Sequence, residues 1–412
     1  MDTIAIHVDG LLLMYVAIGT NQKKNFLNMI GGNIVLIKHV KIMEVKESFN
    51  LHQNGLFMTK VAIVNDLHIG VKNDASILLD HQEKFFTDIF FPYVDNNGIR
   101  TVINLGDSWD RRRYINFGTL VRGKKMFFDP LAERGIYSPT IVGNHDAHYK
   151  NHIKVNSMNE LIRDNSKYSN VHVIDEPEVI NIEGFKICMI PWICDENYDR
   201  CINLIKNPTT DICMGHFNIA GFVMHVGQVS QDGLDREMFD HFDMVLSGHF
   251  HHKSTDGIIT YLGTQYEMTW HDYNDPKGFH ILDLETRELQ FIRNPYKMHH
   301  RIVYHEGIEL DFTKYKDVNV KVVVDKKVDS KKYDLFMSML YEANPYTINV
   351  VENHIDVNEV SEEIKLDESI GTLSLLHTYL DHATMAQDID MNRLKSIFND
   401  IYMESQQINV EE

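Results

Sequence analysis

VAIVNDLHIG, Val61 to Gly70, sets an unbroken apolar run against two polar groups, Asp66 and His68. The run is rich in β-branched residues and shows no polar alternation, which is the pattern of a strand covered on both faces in a parallel sheet. Asp66 and His68 stand two residues apart just beyond it, so in extended chain their side chains leave on one side. The carboxyl ends of strands in open α/β sheets are where ligands bind. A single Asp-x-His carries little weight, and repetition gives the pattern its meaning.

Four more apolar runs end in the same way. Thr101 to Leu105 leads into Gly106-Asp107-Ser108-Trp109-Asp110, and Thr140 to Val142 into Gly143-Asn144-His145-Asp146. Ile212 to Met214 leads into Gly215-His216, and Met244 to Leu246 passes through Ser247 into Gly248-His249-Phe250-His251. Each carries a glycine ahead of its oxygen or imidazole, which suits a tight turn that brings the backbone close to a ligand. Asp66, His68, Asp107, Asn144, His216, His249 and His251 thus offer seven ligands from five loops. That is too many for one catalytic ion and suits two ions sharing a carboxylate. With no thiolate in the set, the site favours Mn²⁺, Mg²⁺, Fe²⁺ or catalytic Zn²⁺ over structural zinc. Two such ions about 3.5 to 4 Å apart clamp a phosphoryl group and activate water at neutral pH. Phosphoester hydrolysis is the expected chemistry.

The chain has 412 residues, room for two or three domains, and 43% hydrophobic and 24% charged residues, the make-up of an ordinary globular protein. A net charge of -19 argues against a whole-surface electrostatic grip on nucleic acid. A phosphate substrate must be held locally, by metal ions or by small basic patches such as Arg111-Arg112-Arg113 and Lys124-Lys125, for which a solvated face is the competing reading. Cys188, Cys194, Cys201 and Cys213 have no Cys-x-x-Cys spacing, which points to a reducing compartment. The aliphatic run Leu11 to Ile18 is far short of the roughly 20 residues that span a bilayer, and the acidic MDTIAIHVDG is unlike a secretory signal. A cytoplasmic protein is expected, with no membrane partner.

Residues 1–57 contribute no strand-end group and read as an N-terminal extension, with Met58 a natural beginning of the folded unit. Helical spacing across Ser76 to Asn96 and again across Phe117 to Arg134, each between core strands, predicts two crossover helices. After Gly248, Gly257 to Leu262, Gly278 to Leu284 and Leu289 to Ile292 read as antiparallel strands. The catalytic unit spans 58–298. A small unit at 299–360 follows, with strand-like Val318 to Val324, helix-like Lys331 to Ala343 and strand-like Tyr346 to Val351, large enough to cap a cleft. Residues 361–412 continue an acidic linker into a helix marked by Leu394, Ile397, Phe398 and Ile401.

The ordered set DLH, GDSWD, GNHD, GH and GHFH resembles the calcineurin-like metallophosphoesterases from about Val61 to Leu284. Within them IVGNHDAHYKN, GHFH followed by YLGT, and NDPKGF are similar to the SbcD-type double-strand-break repair nucleases in their bacteriophage form. The resemblance implies a layered α/β metallophosphoesterase sandwich with a small α/β cap domain and a helical C-terminus. It implies two divalent ions, Mn²⁺ first among them, one held by Asp66, His68, Asp107 and His251 and the other by Asp107, Asn144, His216 and His249. Asp107 bridges, His145 faces the scissile phosphate as the catalytic residue, and Asp146 orients its loop. The implied activity is endo- or exonucleolytic hydrolysis of DNA in recombination and repair, with an SbcC-like SMC-type ATPase as partner and a homodimer as assembly. Many members carry His where this chain has Asp110, so the balance of exo- and endonuclease action does not transfer. His148, His152, His225, His252, His271 and His280 read as surface or hydrogen-bonded residues instead of ligands. A phosphatase or nucleotide phosphodiesterase of the same superfamily, and an adaptor that has kept the fold alone, remain the alternatives.

Overall fold

The computed structural model describes residues 59–225, 228–324 and 329–352, together with the backbone of four strands between residues 3 and 37. Those strands, Thr3–Val8, Leu11–Ile18, Asn25–Ile30 and Asn33–Ile37, form an antiparallel meander. They belong to a compact unit of their own, Met1–Gly55. The aliphatic run Leu11–Ile18 is one of its strands, and no helix among the described residues is long and apolar enough to cross a membrane. The expected C-terminal helix at Leu394 to Ile401, and the whole of 361–412, lie outside the described residues.

The larger unit is built on two six-stranded sheets. The first runs in the order Leu289–Arg293, Gly278–Asp283, Lys60–Val64, Val102–Asn104, Ser138–Ile141, Val171–Ile174. Its last four strands are parallel, with Ala62 opposite Val102 and Asn104 opposite Thr140. The second runs in the order Ser254–Thr255, Ile259–Tyr261, Met244–Ser247, Ile212–Gly215, Phe185–Ile190, Glu178–Ile182.

Side-chain alternation explains why both sheets are buried on both faces. Val61 and Ile63 point into the seam between the sheets, where they meet Ile103, Ile141, Met189, Ile212, Met214 and Leu246. Ala62 and Val64 point the other way, into the helix layer. The second sheet repeats this, turning Cys188, Cys213 and Val245 outward onto the helix Tyr198–Lys206. The result is helix, sheet, sheet, helix, with every residue from Val61 to Val64 fully buried. Cys188 and Cys213 serve as small apolar side chains in this packing.

Both expected crossover helices form, and each contains a π-helical turn, Phe86–Phe90 in one and Lys124–Phe128 in the other. The extra residue in such a turn shifts the helical phase, so adjacent aromatics can both face inward. Phe85 and Phe86 are fully buried together, as are Phe127 and Phe128.

One expectation is corrected. Ile259–Tyr261 pairs in parallel with Met244–Ser247 and antiparallel only with the two-residue Ser254–Thr255. The loop carrying His249 and His251 reverses the chain, and the turn at Gly257, with φ 102°, reverses it again, restoring the first direction. Gly278–Asp283 and Leu289–Arg293 are antiparallel as expected. The small unit is a three-stranded parallel sheet, His299–Tyr304, Asn319–Val324 and Thr347–Glu352. Its helix Ser330–Glu342, capped by Asp329 at its first turn, buries Phe336, Met337 and Leu340 against that sheet.

Candidate metal centre

All five strand-end loops converge, because the strands that feed them are neighbours in their sheets and the two sheets are stacked. Asp66, Asp107 and Asn144 come from the first sheet, and His216, His249 and His251 from the second. Their close approach needs the glycines. A Cβ at Gly143 would collide with the Asp107 carboxylate, and one at Gly248 would lie 2.8 Å from the Leu105 carbonyl oxygen. Asp66, His68, Asp107 and His249 have left-handed backbones, with φ of 48°, 41°, 53° and 82°. Such conformations cost about 1 to 3 kcal/mol each in non-glycine residues and persist where the surroundings enforce them, typically at functional sites.

The ligand atoms face one another. Asn144 Oδ1 lies 2.9 Å from His216 Nε2 and 3.0 Å from His249 Nδ1. His68 Nε2 lies 3.1 Å from His251 Nε2. Asp107 Oδ2 stands between the two groups, 3.3 Å from His216 Nε2 and 3.6 Å from His68 Nε2. Asp66 Oδ1 is 3.9 Å from His68 Nε2 and 4.0 Å from His216 Nε2. Neighbouring ligands of an ion bound at about 2.1 Å lie about 3 Å apart, so these separations fit a coordination shell. Among the described residues, three triads have ligand atoms all within 4.8 Å of one another: Asp66, His68, His251; His68, Asp107, His145; and Asp107, His216, His249.

Surrounding groups aim the donors. His216 Nδ1 donates to the Leu105 carbonyl at 2.7 Å, leaving Nε2 as the ligand atom. Asp107 Oδ1 accepts the His145 backbone N–H at 2.7 Å, which leaves Oδ2 facing both groups. Asp66 accepts the His249 N–H on both oxygens, at 3.1 and 3.0 Å. Asp146 is fully buried and accepts from the N–H groups of Ser108, Trp109 and Gly143, tying its loop to that of Asp107. Burial and the nearby Asp107 charge raise the Asp146 carboxyl to about 6.

The electrostatics call for cations. Burial, opposed by His216 and reinforced by Asp107, raises the Asp66 carboxyl. Burial also opposes charge on His68 and His216, yet neighbouring carboxylates lift both imidazoles to about 9. Burial and the charge of His216 then push His249 down to about 3. Two buried carboxylates facing buried imidazoles make a site where divalent cations would balance the charge. The oxygen and imidazole donors suit divalent ions of the Mn²⁺, Mg²⁺ or Zn²⁺ kind.

Every residue singled out as a ligand in the sequence lies in this centre, and so does His145. The contacts of Asp110, already noted in its turn, were not anticipated, and three further neighbours, Trp192, Lys277 and Gln82, were missed. Asp110 Oδ1 lies 3.1 Å from His68 Nδ1. The Trp192 ring stands 5.1 Å from that of His249. Lys277 is buried, with Nζ 2.8 Å from the His251 carbonyl oxygen and 2.8 Å from each of Asp272 and Asp275. Asp275 in turn bonds His252 at 2.9 Å, which accounts for that histidine as a hydrogen-bonded residue. A lysine two residues after Asp275 and five after Asp272, in DYNDPKGF, was the available signal. Gln82 donates to the Leu67 and His68 carbonyls from the first crossover helix, a link no local pattern announces.

The calcineurin-like phosphoesterase family matches residues 59–253. Exonuclease subunit 1 of Enterobacteria phage T4 is 33% identical over 350 residues, covering 84% of this chain and 100% of that one. The SbcD component of the nuclease SbcCD from Staphylococcus epidermidis is 22% identical over 259 residues, covering 56% of this chain and 67% of its own. A solved chain described as a novel archaeal phosphodiesterase overlays at a TM-score of 0.29 and 15% identity, a score too low to argue from.

Proposed function

From a chain that belongs to the calcineurin-like phosphoesterase family, and to its SbcD-like nucleases, we infer a two-metal DNA nuclease that hydrolyses phosphodiester bonds in end processing and recombination. The observation that carries this reading is the position of Asp107 Oδ2 between two ligand groups, each with its own imidazoles. One ion would be held by Asp66, His68, Asp107 and His251, and the other by Asp107, Asn144, His216 and His249. Mn²⁺ is the proposed metal, on a donor set of oxygens and imidazoles. When bound, two such ions polarise a phosphodiester and make water a nucleophile near neutral pH.

The chain supplies positioning and proton handling. Asp107 holds both groups in register, and His145, anchored through Nδ1 to the Asp110 carbonyl at 2.6 Å, turns its other face toward the phosphate. An imidazole so placed can stabilise charge on the phosphoryl group or assist departure of the sugar oxygen, a contribution of about 10² to 10⁴ in rate. Trp192 lies beside His216 and His249, its ring 6.0 and 5.1 Å from theirs.

DNA is the proposed substrate and an SbcC-like SMC-type ATPase the proposed partner, with residues 361–412 as the contact. The apolar spacing of Leu394, Ile397, Phe398 and Ile401 suits a helix laid in a groove. Residues 299–360 serve as the cap and 58–298 as the nuclease unit. Residues 1–57 are dispensable to cleavage, since Met1–Gly55 is a separate unit and every ligand follows it. A second copy is the proposed neighbour at Phe117 and Val121, 85% and 53% exposed and one helical turn apart.

The test is hydrolysis by the Mn²⁺-loaded chain of end-labelled duplex DNA, a bis-aryl phosphodiester and an aryl phosphomonoester, with and without chelator. The reading expects cleavage of DNA and diester, abolished by chelation. Turnover of the monoester with DNA left intact would place the chain among the phosphatases.

A further inference from the structure

Lys277 is the one lysine or arginine buried among the described residues, 4% exposed and directly ahead of the strand Gly278–Asp283. Its ammonium has three hydrogens and three acceptors, Asp272 Oδ1, Asp275 Oδ2 and the His251 carbonyl oxygen, each at 2.8 Å. A buried ion pair is weak evidence of stability, since apolar side chains of similar volume often serve as well. What this one adds is direction. Its third donor goes to a backbone carbonyl in the loop that carries two imidazoles of the metal centre.

The anchor is held firmly on its own side. The Lys277 carbonyl accepts the Asn294 N–H at 2.8 Å, and the Gly278 N–H donates to the Thr264 carbonyl at 3.2 Å. Asp272 Oδ2 accepts the N–H groups of Met268 and Thr269 at 3.0 and 2.8 Å, which leaves Oδ1 for Lys277. Burial opposes charge on Asp272, yet Lys277 beside it holds the carboxyl down to about 2.

On the other side the network governs how the His249 loop presents its rings. The loop ends in two adjacent histidines, His251 and His252, either of which is a chemically suitable ligand. Asp275 Oδ1 accepts from His252 Nδ1 at 2.9 Å and commits that ring to the network. The His251 carbonyl accepts from Lys277 and from the Thr264 N–H at 3.2 Å, so two donors fix the peptide that follows His251. The His251 ring faces His68, Nε2 to Nε2 at 3.1 Å. His249 is supported differently, through Asp66, which accepts its N–H. Loss of Lys277 therefore bears on His251 first.

We propose that Lys277 is a positioning residue that fixes His251 at the metal centre and so sets the affinity of the ion that would sit with Asp66, His68 and His251. This role rests on the two-metal reading of the centre. A ligand held in place before the ion arrives loses little freedom on binding it, and outer partners of this kind are worth about 10- to 100-fold in metal affinity.

The test is a calorimetric titration of the metal-free full chain with Mn²⁺, joined to electron paramagnetic resonance of the loaded protein, in which neighbouring Mn²⁺ ions give a coupled signal and a lone ion does not. Lys277→Met, similar in length and without the charge, should weaken one Mn²⁺ about 10- to 100-fold, leave the other near its wild-type affinity and replace the coupled signal by that of a lone ion at stoichiometric metal. The carboxylates left bare in this variant endanger its folding. Lys277→Met combined with Asp272→Asn removes one charge of each sign, and should show the same selective loss in a chain that melts closer to wild type. Lys277→Arg keeps the charge but offers a planar fork in place of three tetrahedral donors, so it should recover only part of the lost affinity. Equal weakening of both ions overturns the role, since a loosened fold acts on both, and so does undiminished binding of both in the folded double variant. A wild-type chain that takes up fewer than two Mn²⁺ removes the two-metal reading, and this role with it, before any variant is compared.

Discussion

Asp110 Oδ1 lies 3.1 Å from Nδ1 of His68, and the opposite nitrogen of that ring, Nε2, lies 3.1 Å from His251 Nε2. The carboxylate fixes the tautomer and orientation of the imidazole, so that the lone pair on Nε2 points into the centre. Such outer partners are worth about 10- to 100-fold in metal affinity. Asp110→Ala should therefore weaken Mn²⁺ by that factor in a calorimetric titration while leaving the melting temperature of the metal-free chain nearly unchanged. Wild-type affinity in the variant would show that His68 is held by its packing alone.

Asp107 touches both ligand groups, whereas His68 belongs to the group with Asp66 and His251. Asp107→Ala should lose both ions and His68→Ala chiefly one. Metal content per chain, measured on protein dialysed against Mn²⁺, separates the two; equal losses would mean that the ions do not share Asp107.

A stability effect of pH arises away from the centre. His280 is 2% exposed in the strand beside Lys60–Val64, and its Nε2 has no partner among the described residues. Burial, aided by Lys253, lowers it to about 3. The unfolded chain therefore takes up a proton near pH 6.5 that the folded chain refuses. The neutral His280 contribution is present in full above about pH 6.5 and is lost as pH falls from there toward about 3, by at most about 1.4 kcal/mol per unit. His280→Leu should melt with a shallower decline than wild type between pH 7 and 5. Parallel curves for the two proteins would rule this residue out as the source.

The parts of the site that could be read from sequence are those fixed by the backbone. An apolar run such as Val61 to Val64 followed by a polar pair announces a strand end, and Gly143 and Gly248 announce close approach, because both are written into consecutive residues. Asp110, Lys277 and Gln82 act on the same centre through side chains whose direction depends on which elements pack together. Lys277 meets the His251 carbonyl across 26 positions, and Gln82 reaches the Leu67 carbonyl across 15. The sheet partition was hidden for a similar reason. Ile259–Tyr261 looks like any short antiparallel strand, and only the preceding reversal through the His249 loop makes it parallel to Met244–Ser247. The π turns at Phe86–Phe90 and Lys124–Phe128 follow from pairs of aromatics that must both be buried, a demand set by the core they enter.

His145 poses the sharpest question, because two roles compete for it. Its backbone N–H binds Asp107 Oδ1 at 2.7 Å, its Nδ1 binds the Asp110 carbonyl at 2.6 Å, and its ring sits edge-on to His68 with centroids 4.7 Å apart. Since a carbonyl only accepts, Nδ1 carries the proton, and Nε2 is the atom available for chemistry. His68, Asp107 and His145 have ligand atoms close enough to form a triad, so Nε2 could bind metal. Against this, the proposed shells join His68 and Asp107 to His251, Asn144, His216 and His249, and the proposal gives His145 to the substrate. An imidazole beside a polarised phosphodiester stabilises charge on phosphorus and protonates the leaving oxygen, worth about 10² to 10⁴ in rate. His145→Asn should then retain both ions and bind DNA normally while cleaving at least about a hundredfold more slowly. A drop of one ion per chain would make His145 a ligand, and near-normal turnover in the fully metallated variant would reduce it to a loop-shaping residue.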